Sequence, residues 1–61
     1  MTVVIKEDEK VEIISEVLSI IKENNELWID FASRRKIIKK EKNTKDILVY
    51  SDGVIVYTTE L

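Results

Sequence analysis

Seven cations fall within twelve residues in the stretch RRKIIKKEKNTK, from Arg34 to Lys45. Arg34, Arg35, Lys36, Lys39, Lys40, Lys42 and Lys45 are residue types that contact phosphates, and each phosphate neutralised would steepen the salt dependence of binding by ~0.9 in log–log slope. A nucleic-acid site usually adds aromatic side chains on which bases stack. None occurs between residues 32 and 49, and no helix-turn-helix or RNA-recognition signature is present. The same lysines on an exposed strand would keep one sheet edge from pairing with another. The residue types leave both roles open.

Paired carboxylates are the other chemistry to weigh. Glu12 and Glu16 would stand one turn apart on a helix. On a polar face they would be solvated, with no apolar surroundings to raise a pKa toward general-acid work. The chain has no histidine and no cysteine, so histidine-assisted serine or cysteine nucleophiles and the usual zinc sites are excluded. A single glycine rules out both the Walker loop and the dinucleotide fingerprint. No catalytic residue, metal, cofactor or small-molecule substrate is expected.

Trp28, Tyr50 and Tyr57 are the remaining residues of functional type, because tryptophan and tyrosine are enriched at interface hot spots. A lone tryptophan can equally anchor a core.

These side chains sit in a chain of 61 residues, the size of one small domain, with 44% hydrophobic and 36% charged residues. No proline, repeat or low-complexity linker divides it, so residues 1–61 form one domain. No apolar run approaches a membrane span and MTVVIKEDEK lacks a signal-peptide core, so a cytoplasmic protein without membrane contact is expected. Residues 1–30 hold eight acids and three bases, whereas residues 31–61 hold seven bases and four acids. Such polarity steers partners or favours self-association.

The β-branched TVVI predicts a strand at residues 2–6. From Asp8 to Asn24, Val11, Ile14, Val17, Leu18 and Ile21 recur at helical spacing, with EDE at the favourable end of the helix dipole and Asn24-Asn25 as a stop. With Ile13 and Ile20 included, the apolar arc of this helix is about 180°, against the ~100° or so that docking on one sheet requires. ELWIDF alternates as a strand, with Leu27, Ile29 and Phe31 on one face and Trp28 and Asp30 on the other. Ile37 and Ile38 favour a strand, although Phe31 and Ile38 would also share a helical side. DILVYSDGVIVYTT surrounds Asp52-Gly53, the strongest short hairpin signal. With those two as the loop, Ser51 faces Val54, Tyr50 faces Ile55, Val49 faces Val56 and Leu48 faces Tyr57.

The expected fold is therefore α+β in the order β-α-β-β-β, one amphipathic helix on a small antiparallel sheet ending in the Asp-Gly hairpin. One helix covers one sheet face. The other, bearing Leu48, Tyr50, Ile55 and Tyr57, would stay wet and forgo ~25 cal/mol per Å² of apolar area. A homodimer hides such a face most simply, because two-fold symmetry uses it twice. The expected function is a small non-enzymatic protein-binding module, a homodimeric regulator or inhibitor that also binds another protein through this face with Trp28. The alternative is a nucleic-acid-binding protein that uses residues 34–45.

Overall fold

The computed structural model covers residues 1–61 and contains seven strands and no helix. They are β1 (Thr2–Glu7), β2 (Lys10–Ile14), β3 (Ser19–Glu23), β4 (Glu26–Asp30), β5 (Arg35–Lys39), β6 (Asp46–Ser51) and β7 (Val54–Glu60). A four-stranded antiparallel sheet in the order β2-β1-β6-β7 and a three-stranded antiparallel sheet in the order β3-β4-β5 pack as two layers. The fold is all-β, and the α+β expectation is corrected.

The segment read as a helix is two strands and a crossover. Asp8 and Glu9 are a two-residue turn that pairs Glu7 with Lys10, with Asp8 at φ 54°. Glu16 at φ 61° breaks the chain again between the sheets. Six of the seven apolar residues in that segment are valine or isoleucine, whose branched Cβ costs rotamer freedom in a helix and suits a pleated surface. The helical period was an alias. Ile13-Ile14 and Ile20-Ile21 are seven residues apart, which is two helical turns, but each doublet supplies one side chain to each face of a strand. Asn24-Asn25 turns a hairpin rather than stopping a helix, since Glu23 pairs with Glu26.

The core lies between the layers. Val3 and Ile5 from β1, Ile14 from β2, Leu27 and Ile29 from β4, and Ile47 and Val49 from β6 are buried there with Val17 and Leu61. Alternation fixes the rest, because a strand turns every second side chain outward. The crossover is held at Val17, whose N–H donates to the Met1 carbonyl (3.0 Å) while the Met1 amine donates to the Val17 carbonyl (2.9 Å). Leu61 and Lys45 exchange backbone hydrogen bonds of 2.9 Å, extending the β6–β7 hairpin by one pair. There is no helix long and apolar enough to cross a membrane.

The C-terminal hairpin turns at Asp52 (φ 54°) and Gly53 (φ 77°), the two positive φ values a two-residue hairpin loop demands. Ser51 pairs with Val54 and Tyr50 with Ile55. A β-bulge then intervenes, so Val49 pairs with Tyr57 and Leu48 with Thr58, and Val56 is the extra residue. The expected pairs Val49–Val56 and Leu48–Tyr57 do not form. One inserted residue moves every later side chain of β7 to the opposite face.

Candidate protein-binding surface

Directly paired residues share a sheet face, so the pairings map each outer surface. On the four-stranded sheet, Ile13 pairs with Val4, Val4 with Leu48 and Leu48 with Thr58. The next row is Thr2, Tyr50 and Ile55. On the other side lies a charged row of Lys6, Asp46 and Glu60, next to Val11. The outer face is thus an apolar band across four strands with a charged border at one end. Ile13 is 66% and Ile55 46% exposed, and Val4, Leu48 and Tyr50 are half-buried by their neighbours.

The five interface residues expected from the sequence separate into three places. Leu48, Tyr50 and Ile55 share this outer face. Tyr57 leaves it because the bulge turns it to the core-facing side of β7, where it is 43% exposed. Trp28 lies on the outer face of the other sheet, in a row with Ile21 and Ile37. Its indole Nε1 donates to the Glu26 carboxylate (2.9 Å), and the Arg35 guanidinium lies 4.6 Å from the ring centroid. Val4, Val11 and Ile13 complete the first face but were absent from the expected set. Only a hairpin reading of residues 2–14 would have placed them there.

The basic stretch is largely engaged within the chain. Arg34 stacks on Phe31 with 4.0 Å to the centroid. Arg35 donates through Nε and Nη2 to the Asp30 carboxylate, the latter bond 3.1 Å long. Those bonds hold the Asp30 carboxyl below the usual range and raise Arg35. Lys36 meets Glu12 at 3.0 Å. Lys45, only 6% exposed, donates to Glu41 at 2.9 Å and lies 3.7 Å from Glu7. The hydrogen bond to Glu41 raises the Lys45 ammonium and lowers the Glu41 carboxyl. Lys39, Lys40 and Lys42 have neither an ion-pair nor a ring partner.

An open cleft runs between the edges of β2 and β5; along it Lys36 pairs with Glu12, and Lys45 with Glu41 and Glu7, while Lys10, Lys39 and Lys40 also line it. Glu12 lies on β2 and Glu16 in the crossover beyond it, so a carboxylate pair one helical turn apart does not arise. No three acidic side chains gather into a cluster that could hold a metal ion.

Comparisons with family models, curated proteins and solved structures return no match.

Proposed function

We propose that this chain is a non-enzymatic protein-binding module, acting as a regulator or inhibitor by docking on another protein through the outer face of its four-stranded sheet. The observation that supports this is the Ile13–Val4–Leu48 row with Tyr50 and Ile55 beside it. These side chains stand on paired strands, so little conformational freedom is lost when a partner covers them. The centre is apolar and one border carries Lys6, Asp46 and Glu60, the arrangement of a hydrophobic core with a polar rim. The lack of cysteine suits a reducing cytoplasm as the place of action.

Support for the nucleic-acid alternative is thinner, since four of the seven cations already have partners within the chain. Lys39, Lys40 and Lys42 remain for phosphates.

The test is capture of a partner from native lysate under nuclease treatment, repeated with Leu48→Asp and Tyr50→Ala. Both sites are half-buried on the outside of the sheet, so the fold should persist, as circular dichroism can verify. A hot-spot residue contributes ~2 kcal/mol or more. Each folded variant should therefore lose captured protein by a factor of thirty or so (~1.4 kcal/mol per tenfold). Undiminished capture by both would end this reading.

A further inference from the structure

The four edge strands differ in one respect. An inward-pointing charge on an edge strand resists pairing with another chain, because a neighbouring strand would seal the charge from water. Strand β2 carries Glu12 on its core-facing side, opposite the buried Ile5. Strand β5 carries Lys36 there, opposite the buried Ile29, and β3 carries Lys22, opposite the buried Leu27. Three edges are guarded in the same way. The fourth is not: β7 presents Val54, Tyr57 and Thr59 on that side, and Glu60 at its end is its one charged residue.

Strand β7 is also little covered by the second sheet. Val54 is 62% and Val56 57% exposed, and every residue from Val54 to Thr58 is exposed. Seven residues long, it is the longest strand in the protein, and its bulge at Val56 is its sole irregularity. The β-branched and aromatic side chains of VIVYTT favour a paired strand.

We propose that the free edge of β7 pairs antiparallel with β7 of a second copy, about a two-fold axis, joining the two four-stranded sheets into one of eight strands. The choice of a second copy follows from the other edges. Adding β7 to β2, β3 or β5 of a neighbour would bury Glu12, Lys22 or Lys36, whereas β7 on β7 buries no inward charge. Pairing like with like also closes, since both free edges are consumed and no third copy can add. A net charge of −2 per chain offers little repulsion to two copies. This surface is the rim of the sheet, so the association leaves the outer face with Leu48 and Tyr50 open to another protein.

The test is sedimentation equilibrium of the full chain from about 10 µM to 1 mM, with amide hydrogen exchange at both ends of that range. A reversible dimer is expected, with exchange in Val54–Glu60 slowed at the higher concentration and exchange in β2, β3 and β5 unchanged. Tyr57→Lys supplies the missing guard at a 43% exposed position and should raise the dimer dissociation constant at least tenfold. The exchange measurement requires no variant, so a misfolded Tyr57→Lys leaves the test intact. A particle that stays monomeric throughout, or a dimer whose protection falls on another edge or on the outer face, overturns the proposal. Partner capture that depends on Leu48 in a strictly monomeric chain would reject this dimer while keeping the proposed function.

Discussion

Glu12 on β2 and Lys36 on β5 meet at 3.0 Å across the open side of the sandwich, each pointing inward from an edge strand. Both side chains are about half exposed. A solvated pair of this kind contributes ~0–1 kcal/mol, so its role is better sought in what it forbids than in what it holds together.

Replacing Glu12 with valine tests that. The melting temperature should move little, because a pair worth ~1 kcal/mol at most is lost while β2 gains a residue that suits a strand. Association should change in kind. With β2 and β7 both unguarded, the sheet has a free edge at each end, and head-to-tail addition no longer closes. Glu12→Val should form open-ended particles that grow with concentration, read by light scattering, where the parent chain stops at a defined size.

Leu27→Ala addresses the core. Leu27 is fully buried at the centre of the three-stranded sheet. Truncating a buried leucine costs about 2–5 kcal/mol, and a 61-residue domain at ~0.05–0.15 kcal/mol per residue has only about 3–9 kcal/mol in total. The variant should be partly or wholly unfolded at 37 °C, with loss of the tryptophan near-ultraviolet signal as the readout.

Legibility differs between the two halves of the chain for a physical reason. Asp52-Gly53 announces its hairpin because only residues tolerant of positive φ fit the loop, and that requirement is local. ELWIDF announces its faces because alternation is also local. Residues 8–24 mislead because two strands with doubled isoleucines, seven residues apart, reproduce a helical period. Deciding between them requires knowing that Asp8 and Glu16 take positive φ, which neither residue type demands. The bulge at Val56 is hidden for a different reason. Its position depends on how β6 pairs with β1 as well as β7, and without it Tyr57 would join Leu48 and Tyr50.

Gly53→Ala probes that hairpin. A Cβ at residue 53 would meet nothing within 4 Å, so the substitution introduces no clash. The cost is the left-handed conformation itself, about 1–2 kcal/mol for a residue with a Cβ. The urea midpoint should fall by that equivalent while the slope of the transition stays constant. A loss several times larger would mean the loop makes contacts beyond its backbone.

Stability against pH should be a broad plateau with two distinct limbs. Glu41 and Asp30 have lowered carboxyl pKa values in the folded chain, from the hydrogen bonds of Lys45 and Arg35 respectively. Their contributions are present above the ordinary carboxylate range, about pH 4, and disappear as pH falls through the depressed folded values. Lys45 is raised by its hydrogen bond to Glu41. Its contribution is complete below the ordinary lysine value near ~10.4 and disappears as pH rises past the elevated folded one. Lys45→Met should therefore abolish the alkaline limb due to this residue and make the acid limb shallower, leaving the part that belongs to Asp30. Urea midpoints from pH 2 to 11 provide the check, and an unchanged acid limb would show that the Lys45–Glu41 contact is not maintained in solution.

The basic stretch offers a quantitative test because so few of its charges are free. If a polyanion binds, Lys39, Lys40 and Lys42 can engage phosphates without giving up an internal partner, whereas Arg34, Arg35, Lys36 and Lys45 would first have to leave Phe31, Asp30, Glu12 and Glu41. At ~0.9 per neutralised phosphate, three lysines give a log–log salt slope no steeper than about −2.7 per chain, against about −6.3 if all seven took part. Fluorescence anisotropy with a duplex oligonucleotide between about 20 and 200 mM salt measures it. A shallow slope that flattens further in Lys39→Gln, Lys40→Gln and Lys42→Gln would mark weak contact by the free lysines alone. A slope beyond −5 would mean that the internal ion pairs open on binding, and that the basic segment is a nucleic-acid grip after all.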